Sequence, residues 1–169
     1  MYKRQAYIVD ENLAQIVSVS YGTCEQNLGT AQTALWNQVW EQAAAQGMSV
    51  FVASGDAGAA GCAAAGPAYA NMNNVATVSG LASSPYVTAV GGTEFDETVN
   101  GGSSGTFWNA TNTANLASAT SYIPEMVWND SCPGSLWCPS NGSYEFPFFS
   151  AGGGGVSSVY CLLYTSRCV

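Results

Sequence analysis

Residues 15 to 55 read QIVSVSYGTCEQNLGTAQTALWNQVWEQAAAQGMSVFVASG, and the order of patterns in this stretch decides the fold. Gln15 to Gly22 is a short β-branched run with no polar alternation beyond serine, which predicts a strand buried on both faces, as in parallel sheets. Leu35, Trp36, Val39, Trp40, Ala43 and Ala44 then recur at helical spacing and give a helix one apolar face. Thr30 is placed to cap its start and Gly47 to end it. Met48 to Ser54 is a second buried strand. Strand, helix and strand with short links form a right-handed βαβ unit, so the class is α/β with a parallel sheet.

Outward from this unit, NVATVSG (residues 74–80) and SPYVTAVGGT (residues 84–93) are further strand candidates. After Thr93 the chain turns polar, glycine-rich and intermittently aromatic, the composition of surface hairpins rather than core. CPGSLWC (residues 132–138) sets two cysteines about a Pro-Gly turn, and AGGGGVSSVY (residues 151–160) is a glycine-rich loop. No internal repeat is visible.

Composition narrows the function classes. The 169 residues suffice for one domain with a real core; 47% are hydrophobic and 8% charged, against about 25% charged in an average soluble domain. The net charge of −8 repels phosphate backbones, which excludes nucleic acid as a partner. With no histidine in the chain, Ser-His-Asp, Cys-His and histidine–metal chemistry are excluded, and acid–base work falls to carboxylates. No apolar run reaches the roughly 20 residues of a membrane span, so no membrane partner is expected. Low charge, abundant Ser, Thr, Asn and Gly, and several cysteines point to a secreted protein.

The two ends do not match the body. Lys3 and Arg4 lie in MYKRQ, Arg167 lies in CLLYTSRCV, and no basic residue stands between them. Both ends resemble translations of one transposase adaptor used to prepare sequencing libraries, read forward at one end and as its reverse complement at the other. The expected organisation is therefore residues 1–5 and 161–169 derived from adaptor, and residues 6–160 a partial domain from a longer gene. Cys161 and Cys168 then drop out, leaving Cys24, Cys62, Cys132 and Cys138.

The second strand empties into Ser54-Gly55-Asp56. Ligands of open α/β sheets bind beyond the carboxyl ends of the strands, where both Tyr21-Gly22 and Gly55-Asp56 fall. An aspartate there can also merely bond its own backbone in a turn, and the tripeptide alone does not choose.

VSVSYG, the helix, VFVASGDAGA, SPYVTAVGGTEF, EMVWND and AGGGGVSS occur in an order that resembles the sedolisins, the serine-carboxyl peptidases, with the kumamolisin-like branch as the nearest pattern. The resemblance covers Ala6 to Tyr160. It implies a partial subtilisin-like fold, a central parallel β-sheet flanked by helices in three αβα layers. It implies a secreted endopeptidase of Ser-Glu-Asp type that works in acid through an acyl-enzyme on peptide or protein substrates. By position, Asp56 matches the oxyanion-hole donor, and Ser20, Tyr21 and Gly22, with Ser54 and Gly55, match the substrate cleft. Extended peptide would lie along this strand edge. The chemistry agrees with an acid there: an ionised carboxylate repels a developing oxyanion, whereas a carboxyl that its site keeps neutral donates an O–H. Glutamate (about 4.3) also still accepts protons in mild acid, where histidine (about 6.5) is already charged.

The family's serine lies in a Gly-Thr-Ser-Ala type motif beyond the glycine loop, and its Glu–Asp pair lies upstream, one helical turn apart. Neither occurs in this sequence; Asp10 and Glu11 are adjacent and too near the first strand to be that pair. Glu94, Asp96, Glu97 and Glu125 read as solvated loop positions. The chain as given is therefore expected to be inactive, to hold no metal or cofactor (the family's calcium site would lie in the missing C-terminal part), and to be a monomer when full length. The alternative is a non-catalytic extracellular binding or adhesive domain, suggested by the stretch after Thr93.

Cys24 follows the first strand and Cys62 the second, at the same end of the sheet, so a disulfide between them would staple the cleft loops. Cys132 and Cys138 could close a small ring. A four-cysteine zinc site is the alternative, although the short Cys-x-x-Cys spacing is absent.

Overall fold

The computed structural model describes residues 2–62, 76–95, 107–131 and 150–160. They fall into two compact units, residues 1–91 with 129–169, and residues 92–128. The first unit contains helix α1 (Tyr2–Asp10), strand β1 (Ile16–Val19), helix α2 (Glu25–Ala45), strand β2 (Ser49–Ala53) and strand β3 (Thr88–Val90). The strands form a parallel sheet in the order β1-β2-β3, with Val17 opposite Val50, Val19 opposite Val52, and Ala53 opposite Val90. The α/β class read from the sequence is the class observed, and sheet plus helices are consistent with part of a three-layer αβα fold.

The core lies on one face of this sheet. Val17, Val19, Val50 and Val52 pack with Val9 of α1 and with Trp36, Trp40 and Ala43 of α2, closed off by Leu28, Met48 and Leu81. Trp36 and Trp40 stack with ring centroids 5.0 Å apart. Burial of each large side chain contributes about 1.5–3 kcal/mol, so this cluster outweighs any surface polar contact in the unit. The expectation of strands buried on both faces is corrected. Burial alternates along β1 and β2, and Ile16, Phe51 and Val90 on the opposite side are 69, 38 and 47% exposed. The described helices cover one face only, which is why continuous apolar runs show a two-residue period of burial.

Helix α2 starts five residues earlier than Thr30. Cys24 is its N-cap residue without a side-chain bond, and Gly29 breaks the helical geometry at φ +73°, ψ 161°. Thr33 bridges that kink, its hydroxyl donating to the Gly29 carbonyl at 2.9 Å. The apolar stripe is narrower than the spacing suggests, since Leu35 and Ala44 face solvent while Trp36, Trp40 and Ala43 are buried. Gly47 follows the last turn as expected, its amide donating to Ala44 O at 3.0 Å. Helix α1 includes residues 2–5 and contributes Val9 to the core; Asp10 accepts from Gln42 Nε2 at 3.2 Å, a packing contact.

Residues 76–80 do not form the expected strand; Asn74 and Val75 lie outside the described residues. Their backbone serves two loops at once, with Thr77 bridged to Ala60 and Ser79 to Cys24, so no single neighbouring strand is available. In the second unit, strand β4 (Thr93–Phe95) pairs antiparallel with strand β5 (Glu125–Val127), and Trp108 bridges Ala119. Phe95 meets Trp108 edge-on at 5.8 Å. Glu94 and Glu125 therefore sit on paired strands rather than in loops, and Glu125 accepts from the Thr93 hydroxyl at 2.9 Å. Asp96 and Glu97 lie outside the described residues.

Candidate active site

Because β1 and β2 are parallel, the segments that leave them emerge at the same edge of the sheet. Ser20, Tyr21 and Gly22 follow β1; Ser54, Gly55 and Asp56 follow β2. All six line one cleft of about 200 Å³, together with Thr23, Cys24, Thr77 and Ser79. The amide of Ser54 donates to Val90 O at 2.9 Å, which extends the β2–β3 ladder to the cleft's lip. Gly55 then turns the chain out of the sheet at φ +113°, a conformation that L side chains rarely adopt. The turn leaves the Asp56 side chain exposed at the rim.

One wall of the cleft is the loop Gly55–Gly58, and the far end of the chain backs that loop. Ala57 forms a parallel bridge with Ala151; the Ala151 amide donates to Asp56 O at 3.0 Å, Gly153 N to Gly55 O at 2.8 Å, and Gly58 N to Ala151 O at 3.0 Å. A Cβ at residue 153 would stand 2.2 Å from Ser54 O and 2.6 Å from its carbonyl carbon, so only glycine allows this approach. Sequence reading found both segments but missed their pairing; the run of four glycines was the available signal that another backbone comes near.

The other wall is stapled. Cys24 and Cys62 form a disulfide with Cα atoms 5.1 Å apart, tying the start of α2 to the loop after β2. A disulfide sulfur is not a thiolate ligand, so the zinc alternative does not hold at these two cysteines; Cys132 and Cys138 lie outside the described residues. Among the described residues no three His, Cys, Asp or Glu side chains gather to offer a metal a donor set.

Inside the cleft, the hydroxyls of Ser54 and Ser79 are buried and make no hydrogen bond within the described residues. Gly22 keeps the space before Ser79 open, since a Cβ there would lie 2.9 Å from the Ser79 hydroxyl. The arrangement is a channel of small residues with hydroxyl groups on its floor and a carboxyl at its rim. Such a cleft offers a small polar group hydroxyl partners at its floor and a carboxyl at its rim.

Glu25 was not singled out in the sequence. It is buried at the start of α2, where burial works to raise its pKa, but hydrogen bonds from Ser157, Ser158 and Ser83 outweigh burial and hold it below the ordinary value.

No protein-family model matches the chain. Sedolisin of Pseudomonas sp. (strain 101) is 34% identical over 139 residues, covering 79% of this chain and 20% of that protein. Xanthomonalisin of Xanthomonas sp. (strain T-22) is 33% identical over 162 residues, covering 86% of this chain and 17% of that protein. The solved structure of Pseudomonas sedolisin, a serine-carboxyl proteinase complexed with two molecules of pseudo-iodotyrostatin, superposes with a TM-score of 0.58 at 28% identity; the match covers 96% of this chain and 34% of that one. The chain thus spans about a fifth of the length of the curated relatives it matches.

Proposed function

Because the chain belongs to the sedolisin family of serine-carboxyl peptidases, as part of such a domain, we propose that it supplies the oxyanion wall and substrate cleft of a secreted, acid-acting endopeptidase. The observation that carries this reading is the convergence of Ser20–Gly22 and Ser54–Asp56 on one cleft at the carboxyl ends of adjacent parallel strands. Peptide backbone lies extended along residues 20–22, an added strand held by main-chain hydrogen bonds. The Ser54 and Ser79 hydroxyls offer polar partners at the floor.

Asp56 in its neutral form donates its O–H to the carbonyl oxygen as that oxygen gains charge in the tetrahedral intermediate; the ionised form would oppose the same step. The serine nucleophile and the Glu–Asp pair come from parts of the enzyme that this sequence does not contain, so the chain alone positions substrate and does not cleave it. In the whole enzyme the serine attacks the carbonyl carbon, the glutamate takes its proton and passes it to the leaving amine, and water later releases the acyl group.

Two assays test this. The purified chain should release no product from a denatured protein or peptide in acid, and cleavage that co-purifies with it overturns the proposed division of labour. In the complete enzyme, Asp56→Ala should lower kcat by about 10²–10³-fold with little change in KM; an unchanged kcat removes Asp56 from the chemistry.

A further inference from the structure

Glu25 is an acid that the proposed chemistry does not use, yet it is 4% exposed. Its carboxylate accepts hydrogen bonds from the Ser157 hydroxyl, from the Ser158 hydroxyl at 2.7 Å and from the Ser158 amide at 2.8 Å. Ser157 Oγ accepts in turn from the amides of Val159 and Tyr160 at 3.0 and 2.8 Å, and the Tyr160 hydroxyl donates to Thr33 O at 3.3 Å. The residues directly after the glycine run are thereby fastened to the first turns of α2. The residues at the start of that run, Ala151 and Gly153, are bonded to the Asp56 loop. Glu25 and the Asp56 loop thus hold the two ends of one short segment, residues 151–158.

We propose that Glu25 is a positioning residue for the oxyanion wall: through Ser157 and Ser158 it keeps the glycine segment seated against Gly55–Gly58, and the wall slackens when that carboxylate is neutralised. The functional part of this statement rests on the reading of Asp56 as oxyanion donor; the clasp itself does not. A carboxylate facing four donors, the hydroxyls of Ser157, Ser158 and Ser83 and the Ser158 amide, is satisfied, whereas a protonated carboxyl brings a fifth proton into a site built to give protons, a buried mismatch that loosens the clasp. Tyr160 is the titratable neighbour, its pKa raised by burial and by the Glu25 charge; no basic group is among the influences on Glu25. Since hydrogen bonding holds the pKa of Glu25 below the usual glutamate range, the clasp is complete above that range and opens only as pH falls through the lowered value. That suits a wall that must stand in acid.

The test is residue-resolved amide exchange of the full chain across an acid-to-neutral pH series, expressed as protection factors so that intrinsic pH dependence cancels. In the unaltered chain, protection at Gly58, Ala151, Gly153 and Ser158 should persist below about pH 4.3, the ordinary glutamate range, and then fall together. In Glu25→Gln those four amides should lose protection roughly tenfold or more at every pH, without a titration step, while β1 and β2 stay protected. The paired variant Ser157→Ala/Ser158→Ala approaches the clasp from the less buried side and should give the same local loss. Unchanged protection at Ala151 and Gly153 in either variant overturns the proposal, and so does a loss spread evenly through β1 and β2 in the serine variant. The readout needs no catalysis, so a failed clasp leaves the role of Asp56 to its own assay, and an inactive Asp56 leaves the clasp intact.

Discussion

Gly153 sits against Ser54 so closely that its α-carbon could carry no methyl group without standing 2.2 Å from the Ser54 carbonyl oxygen. The atom in the way is backbone at the end of β2, which cannot rotate aside. Gly153→Ala should therefore cost about 1–3 kcal/mol in chemical denaturation, an overpacking penalty. It should also release the Ala151 amide from Asp56 O, read as faster exchange at Ala151. A variant as stable as the parent would mean that the glycine segment is not seated where it is described.

The disulfide closes a loop with a sequence separation of 38 residues. Cross-linking a loop of that length restricts the unfolded chain by about 2–4 kcal/mol. Replacing both Cys24 and Cys62 with serine should lower unfolding stability by that amount, and reduction should add two hydrogens to the intact mass for this bridge. An unchanged denaturation midpoint on reduction would argue against the pairing.

Trp40 is 0% exposed and stacked on Trp36. Trp40→Ala should cost about 3–5 kcal/mol, more than Leu35→Ala at the half-exposed position on the same helix. Thermal or urea unfolding of the two variants side by side checks the order, and equal losses would contradict the position of the core.

Stability should depend on pH through Glu25. Its pKa is lower in the folded chain than in the unfolded one: burial opposes ionisation, but Ser157, Ser158 and Ser83 donate to the carboxylate and prevail. The contribution is therefore present above the unfolded value, about 4.3, and is lost as pH falls through the folded value. Acid unfolding of Glu25→Gln should show a shallower slope in that window than the parent, and identical slopes would count against the shift.

The βαβ unit was legible because its signals are local: β-branched runs set strands, tryptophans at helical spacing set the buried stripe, and Gly47 marked the stop. The start of α2 was not. Gly29 and Thr30 look like a loop and a cap, whereas the helix begins at Glu25 because the Glu25 amide finds Val78 O at 3.1 Å, a partner 53 residues away. Likewise the Ser-Gly-Asp loop was legible at the end of its strand, but its pairing with residues 151–153 is a contact between distant segments, and periodicity carries no information about it. Glu25 stayed hidden for the same reason, since an acid in the first turn of a helix ordinarily needs no explanation beyond the helix dipole. The bare side of the sheet, with Ile16, Phe51 and Val90, was read as buried because side-chain type reports what a strand is suited to. What actually covers it depends on neighbours that the strand does not encode.

Glu25 is held by hydroxyls and an amide rather than by a lysine or arginine. Ion pairs weaken as added electrolyte screens them, over a Debye length of about 10 Å at 0.1 M. Short hydrogen bonds from neutral donors to a buried carboxylate offer dissolved ions little to screen. The segment they anchor should therefore stay in place from dilute buffer to brine, a tolerance obtained in a chain whose stretch between Arg4 and Arg167 contains no cation at all.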